Sequence, residues 1–149
     1  MDKKNLYAYM AGFVDADGSI CITSVSKHKR YTAKIAVANC NYKVMEFFSN
    51  EFGGKIRTRV HKAEGREKWR DCYEWSLTAD KAILVISKLY DFLVIKKKQA
   101  DLAIYLQEFR KETRAKGIHA RWHSEEYEKR LKTMQDLKNQ CLELNKRGK

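Results

Sequence analysis

The chain has 149 residues, of which 44% are hydrophobic, and this length supports one domain with a buried core. Its 31 Lys and Arg against 19 Asp and Glu give a net charge of +12, which favours a polyanionic partner, above all nucleic acid. No apolar run approaches the roughly 20 residues that cross a bilayer, so the composition excludes a membrane span.

The four cysteines are scattered along the chain, at Cys21, Cys40, Cys72 and Cys141. None forms a CxxC pair, so their spacing does not predict a zinc site. Cysteines without a disulfide framework are typical of a reducing compartment, and no signal peptide leads the chain. We therefore expect an intracellular protein.

The first predicted helix runs from about Asn5 to Asp15. Ala8, Ala11 and Gly12 lie at positions i, i+3 and i+4, so these small residues share one face of the helix. Small side chains let a second helix backbone approach closely. The face could pack inside the chain or against a second copy of it, and the sequence alone leaves both interpretations open.

Four stretches alternate between apolar and polar residues, which predicts strands. They are residues 19–25, 31–39, 55–61 and 71–78, with a polar turn at 26–30. Helices are predicted at 42–52, 79–93, 96–111 and from the Ser124 cap to about Asn145. The order α-β-β-α-β-β-α followed by two helices predicts an α+β fold with helices on one face of a four-stranded antiparallel sheet. We expect a single domain over 1–149, with a core of about 5–111 and a C-terminal helical extension of about 112–149.

The sheet face that the helices leave open is predicted to carry hydrogen-bonding and cationic side chains. A β-ribbon fits the major groove of DNA, and arginine can bind guanine in a bidentate way. The candidates on this face and its connecting turn are Thr23, Lys27, Lys29, Arg30, Thr32, Lys34, Lys55, Arg57, Arg59, His61 and Glu74. Glu74 would either accept a hydrogen bond from cytosine or hold an arginine in place. A basic segment before the last helix suits contacts to backbone phosphates through Lys116, His119 and Arg121.

Residues 8–20 combine an apolar helix with two carboxylates and a glycine at its end, and Met10 to Gly18 resemble the motif of the LAGLIDADG homing endonucleases. A second stretch, Lys96 to Ala100, is similar to the lysine-containing segment that opens a later helix in single-motif members. We find no second copy of the 8–20 pattern. The resemblance therefore implies a homodimer whose first helices pack through Ala8, Ala11 and Gly12.

The resemblance also implies roles for particular residues. The last acid of the motif, Asp17, would be the metal ligand, together with the backbone carbonyl of Ala16, and Asp15 would hold the helix end. Lys96 would be the catalytic lysine, with Lys98 as the alternative in this run of lysines. The polar residue at the end of the second strand corresponds to Asn41, with Asn39 as the alternative register. Met45 replaces a basic residue of the family.

The expected activity is site-specific hydrolysis of both strands of a long pseudo-palindromic DNA site, which leaves short 3′ overhangs. Phosphodiester hydrolysis by this family implies Mg²⁺, with Mn²⁺ as a substitute, while Ca²⁺ would support binding without cleavage. The expected partners are double-stranded DNA and a second copy of the chain. A maturase that binds its own intron RNA, a DNA-binding regulator without catalysis and a basic scaffold protein are the alternatives.

Overall fold

The computed structural model describes residues 1–25, 30–59, 65, 70–121 and 124–146. Its helices and strands are, in chain order, α1 (Lys3–Asp17), β1 (Gly18–Val25), β2 (Arg30–Asn39), α2 (Tyr42–Phe52), β3 (Ile56–Arg59), β4 (Cys72–Thr78), α3 (Ala79–Leu89), α4 (Lys97–Ala115) and α5 (Glu125–Leu144). Two short 3-10 turns, Tyr90–Phe92 and Ile118–Ala120, lie before α4 and α5. The predicted α+β fold and its element order are confirmed.

The four strands form one antiparallel sheet in the order β1-β2-β4-β3. In β2 the predicted alternation is confirmed, because Ala33, Ile35 and Val37 point into the core while the residues between them are half-exposed. Trp75 of β4 and Met10 of α1 are buried in the same core. The helices that form this core with the sheet are α1, α2, α3 and α4.

The C-terminal helix α5 lies against the edge strand β1. Leu131, Met134 and Leu137 of α5 form a second apolar cluster with Ile22 of β1. The side-chain amide of Asn145, just after α5, donates to the Ile20 carbonyl at 3.0 Å, so it satisfies one carbonyl of β1, which is an edge strand among the described residues. The boundary expected at 111–112 falls inside α4, which continues to Ala115.

The predicted helix at 79–93 is shorter in the structure, whereas α2 has the predicted bounds. The predicted helix at 79–93 ends at Leu89, and a 3-10 turn follows it before Leu93 returns to the core. In α2, Met45 is buried and Phe47 is 44% exposed. The ring of Phe47 packs outward against Tyr9 of α1, and the two ring centroids are 5.9 Å apart.

Gly18 joins α1 directly to β1, and the packing there leaves no room for a side chain. A Cβ at this position would lie 2.8 Å from both the Cα and the carbonyl oxygen of Val14, and 3.1 Å from the Ala36 carbonyl oxygen. These are backbone atoms that cannot move away independently. The glycine that ends the motif is therefore required by close packing between the helix and β2.

Candidate functional site

The C-terminal end of α1 carries the exposed carboxylate of Asp17. Asn39, the last residue of β2, donates a hydrogen bond from Nδ2 to Asp17 Oδ2 at 3.0 Å. The Oδ1 atom of Asn39 accepts from the backbone N–H of Asn41 at 2.8 Å, which fixes the direction of the amide. Among the described residues, Asp17 Oδ1 has no hydrogen-bond or ion-pair partner. Asp17 therefore keeps a carboxylate oxygen that can bind a ligand.

The structure places the two candidate asparagines in different surroundings. Asn41 accepts a hydrogen bond from the backbone N–H of Lys43 at 3.1 Å and thereby caps α2. Asn39 is the asparagine that contacts Asp17. Because Gly18 pairs with Val37, the antiparallel register brings the end of β2 beside the residues before β1. We therefore replace Asn41 by Asn39 in the candidate site, a choice that depends on a register the sequence does not specify.

The other carboxylate of the motif, Asp15, is buried and has several partners. Its Oδ2 atom accepts from the backbone N–H groups of Val94 at 2.7 Å and Ile95 at 3.2 Å, and its Oδ1 atom accepts from that of Lys96 at 3.0 Å. The Asp15 carboxylate also lies beside the N-terminal end of α4, where the helix dipole favours a negative charge. These contacts join the end of α1 to the start of α4, which agrees with the structural role expected for Asp15.

The three consecutive lysines point to different places. Lys96 is half-buried, and its Nζ donates to the backbone carbonyl of Asp15 at 2.5 Å, so its ammonium group lies at the end of α1. Lys97 Nζ lies 5.3 Å from the centre of the Tyr90 ring. Lys98 is exposed, and its side chain has no hydrogen bond or ion pair within the described ranges. Of the two candidates, Lys96 is the one that lies at the end of the motif helix.

The donor set of one chain is small. Over the residues that the structure describes, no group of three or more His, Cys, Asp and Glu side chains is arranged to hold a metal ion. Asp17 and the exposed end of α1 around Ala16 offer oxygen donors, the type that Mg²⁺ prefers. The donors fit a hard cation, but a single chain supplies only part of a coordination shell.

On the open face of the sheet, two cations surround a buried carboxylate. Glu74 is 7% exposed and forms ion pairs with Arg59 and, at 3.6 Å, with Lys34. Of the two roles expected for Glu74, the structure supports the one in which it holds an arginine in place. Arg57 lies opposite Glu74 in the β3–β4 register and is exposed, and so is Lys55 just before β3.

Thr23 and Thr32 have partners within the protein. Thr23 Oγ1 donates to the Thr32 carbonyl at 3.4 Å, and Arg110 Nη1 of α4 donates to Thr32 Oγ1 at 3.1 Å. Both threonines are half-buried. Their hydroxyl groups are therefore less available to DNA than the alternation of the strands suggested.

A basic cavity of about 180 Å³ lies where β2 begins, between α4 and α5. We call it the arginine pocket; its basic members are Arg30, Arg110, Arg114 and His119, over a floor that includes Tyr31. Burial lowers the pKa of Arg110, and the nearby Arg114 and Arg30 lower it further while Asp80 opposes them. The pocket therefore concentrates positive charge that an anion would neutralise.

Sequence patterns indicated Arg30 and His119 of the arginine pocket, and Arg114 begins the basic segment that was singled out before the last helix, but Arg110 was missed. Arg110 lies four residues before Arg114 on α4, a spacing that places both on one helix face and could have indicated it. Of the other basic candidates, Lys116 forms an ion pair with Glu112 at 2.7 Å and Arg121 is exposed. The candidates that lie outside the described residues are Lys27, Lys29 and His61.

The small-residue face of α1 is only partly accessible. Ala11 is fully buried in the core of its own chain, so the prediction that its side chain faces a second copy is wrong. The reason is that Ala11 shares the inward face of α1 with Met10 and Val14. Ala8 and Gly12 are exposed, and a Cβ built on Gly12 would have no neighbour within 4 Å.

An apolar dipeptide lies beside the end of α1. Val94 and Ile95 are 82% and 69% exposed, although Asp15 holds their backbone N–H groups. Leaving two such side chains in water while fixing their backbone is unfavourable for an isolated chain. These two side chains therefore form an exposed apolar surface beside the end of α1.

Comparison with known proteins gives a consistent result. The sequence profile described as LAGLIDADG endonuclease matches residues 10–112. A search of curated protein sequences gives no match to this chain. None of the helices in the described part of the chain is long and apolar enough to span a bilayer.

Solved structures share the fold. The homing endonuclease I-CvuI in complex with its target, in the presence of 2 mM Ca, superposes with a TM-score of 0.70 at 20% identity, over 99% of this chain and 85% of that one. The archaeal intron-encoded homing endonuclease I-Vdi141I, complexed with DNA, gives 0.73 at 18% identity, over 99% and 89%. The homing endonuclease I-GzeII, in complex with a DNA target, gives 0.64 at 19% identity, over 89% of this chain but 43% of its own.

Proposed function

Because the chain belongs to the LAGLIDADG homing endonuclease family, we propose that it acts as a homodimer that hydrolyses both strands of a long, nearly palindromic DNA site. The observation that carries this proposal is the exposed carboxylate of Asp17 at the end of α1, in a chain whose described residues hold no complete metal site. A two-fold axis beside α1 would bring two copies of Asp17 together and complete the ligand set.

The exposed surface at the end of α1 supports the dimer. Ala8 and Gly12 would let the two α1 helices approach closely, while Val94 and Ile95 would be covered by the partner. The dimer would present two sheets side by side to DNA.

The residues at the end of α1 would divide the catalytic work. Asp17 and the carbonyl of Ala16 would hold Mg²⁺, with Mn²⁺ as a substitute, and the bound cation would supply an activated water and offset charge on the phosphate. Asn39 orients the Asp17 carboxylate through its hydrogen bond. Lys96 keeps a positive charge at the same helix end, where it would attract the scissile phosphate, and Lys98 is the alternative cation.

The DNA would lie along the open face of the two sheets. Arg57, Lys55 and the Arg59–Glu74 pair would enter the major groove, and the arginine pocket would take a backbone phosphate beyond the sheet. Cleavage across the minor groove at the two-fold axis would leave short 3′ overhangs. This activity requires access to DNA, so we also propose an intracellular location.

The experiment that tests the proposal is cleavage of a library of long inverted-repeat duplexes with Mg²⁺, with Asp17→Asn alongside and with Ca²⁺ as a binding control. We expect the wild type to cut a narrow set, Asp17→Asn to bind that set without cutting it, and Ca²⁺ to support binding alone. Sedimentation should give a dimer on DNA.

Other results would contradict the proposal. Specific binding by the wild type without cleavage would indicate a DNA-binding regulator. Absence of any selected duplex, with intron RNA binding that Asp17→Asn retains, would indicate a maturase. Cleavage by Asp17→Asn at the wild-type rate would remove Asp17 from the metal site.

A further inference from the structure

Two thiols meet next to Asn39, where β2 ends and β4 begins. The Sγ atoms of Cys40 and Cys72 lie 2.6 Å apart, and both cysteines are free thiols. In the β2–β4 pairing Asn39 lies opposite Tyr73, so one further step along each strand sets Cys40 directly opposite Cys72. Neither thiol takes part in the proposed endonuclease reaction.

This placement satisfies the geometry of a disulfide bond. Residues directly opposite each other in an antiparallel pair have Cα atoms about 4.5–5.5 Å apart, and a disulfide joins Cα atoms about 4.4–6.8 Å apart. An S–S bond is about 2.05 Å long, so the sulfurs would move by only about half an ångström. Bond formation therefore needs no change of strand register.

The four cysteines differ in their surroundings. Cys40 is exposed and Cys72 half-buried, whereas Cys141 is buried and its thiol donates to the Ile20 carbonyl at 3.5 Å. Burial raises the pKa of Cys141 to about 11 and also raises that of Cys21. The hydrogen bond to Cys40 raises the pKa of Cys72. Cys40 is the more exposed thiol of the pair, so it is the one that meets a reagent in solution first.

We propose that Cys40 and Cys72 form a reversible dithiol–disulfide site whose oxidant is a small-molecule disulfide. The Cys40 thiolate attacks one sulfur of the reagent, forms a mixed disulfide and expels one thiolate. The Cys72 thiolate then attacks the Cys40 sulfur and expels the second thiolate, which completes the protein disulfide. The two cysteines lose two electrons and two protons, and the reagent is reduced to two thiols.

The new bond would close a covalent loop from Cys40 to Cys72. This loop contains α2 and β3 and begins one residue after Asn39. A crosslink of this kind stabilises a protein mainly because it restricts the unfolded chain. Oxidation would therefore strengthen the part of the sheet next to the candidate site.

The test compares the wild type with Cys40→Ser, Cys72→Ser and the matched control Cys21→Ser after equilibration in oxidised or reduced glutathione. Peptide mass mapping without reductant should find a Cys40–Cys72 crosslink in the wild type and in Cys21→Ser. The thermal midpoint of these two proteins should rise by about 5 °C or more on oxidation, and a reductant should reverse the rise. Each variant of the pair should stop at a mixed disulfide with glutathione and show no such rise.

Persistent alkylation of both thiols in the oxidised wild type would overturn the proposal. A mixed disulfide that never closes, or a crosslink between two chains, would overturn it as well. If a serine variant fails to fold, alkylation and mapping of the wild type still decide the question. None of these measurements uses DNA, so their outcome is independent of the proposed endonuclease activity.

Discussion

The two carboxylates at the end of α1 lie two residues apart and have opposite surroundings. Asp15 is buried and accepts three backbone hydrogen bonds from residues 94–96, whereas Asp17 is exposed and has Asn39 as a hydrogen-bond donor. A buried carboxylate requires such partners, because an unpaired buried charge is strongly destabilising. An exposed carboxylate with one partner can instead bind something outside the chain. The difference separates a structural junction from a candidate reaction site.

Asp17→Asn should have the largest effect on activity. Loss of the carboxylate removes several kcal/mol of charge stabilisation, so we expect cleavage to fall by about 10³-fold or more. Stability and DNA affinity should change little, since the side chain is exposed and amide size is retained. Single-turnover cleavage and duplex binding measure the two effects, with the exposed Asp136→Asn as the charge-matched control. A parallel fall in affinity and cleavage would mean that Asp17 serves only in DNA binding.

Asp15→Ala should act mainly on the stability of the fold, which Asp17→Asn leaves nearly unchanged. Three backbone N–H groups lose a charged acceptor, so we expect the free energy of unfolding to fall by about 3 kcal/mol. The thermal midpoint should drop by about 9 °C, while Asp17→Ala should leave it nearly unchanged. Thermal unfolding of the two variants measures the difference. Equal midpoints would contradict the structural role of the Asp15 junction.

The family resemblance of the motif implied a structural role for Asp15 and metal binding by Asp17, and the structure buries the first carboxylate and exposes the second. The element order followed from apolar periodicity, which is strong in β2 and in α2. Asn39 could not be chosen over Asn41, since strand register depends on contacts between segments far apart in sequence. Ala11 was misassigned for a similar reason, because helical spacing gives a shared face but does not say what covers it.

The open face of the sheet allows the same comparison between an exposed side chain, Arg57, and an ion-paired one, Arg59. Arg57→Ala should relax specificity at one base pair and cost about 1–3 kcal/mol of discrimination, because Arg57 is exposed and aimed outward. Arg59→Ala should also lower the thermal midpoint, which Arg57→Ala should not, since it leaves the buried Glu74 with Lys34 as its one remaining ion-pair partner among the described residues. Cleavage profiles over single-base variants of the target, combined with thermal unfolding, distinguish the two. A uniform loss of affinity in Arg57→Ala would assign Arg57 to a phosphate.

A substitution in the arginine pocket should cause the smallest change in DNA affinity, and its specific effect should be on the dependence of that affinity on salt concentration. Arg114 is exposed at the rim of the pocket, and its positive charge repels that of the neighbouring Arg110. A phosphate bound between them would relieve this repulsion. Each phosphate contact contributes about 0.9 to the slope of log affinity against log salt concentration. Arg114→Gln should therefore make this slope less negative by about 0.9, with the same preference among target sequences.

The matched control for Arg114→Gln is Lys88→Gln, which removes a charge near Tyr7 in the N-terminal half of α1, away from Asp17. Lys88 lies on the helical side of the molecule, where its Nζ is 5.7 Å from the centre of the Tyr7 ring. Because of this position, Lys88→Gln should leave the salt slope unchanged. If both variants shift the slope equally, the effect comes from the net positive charge of the protein and not from a phosphate bound at Arg114. If only Arg114→Gln shifts the slope, a phosphate binds in the pocket. Each direct phosphate contact releases about one counterion, so the slope changes only when the contacting side chain itself is removed.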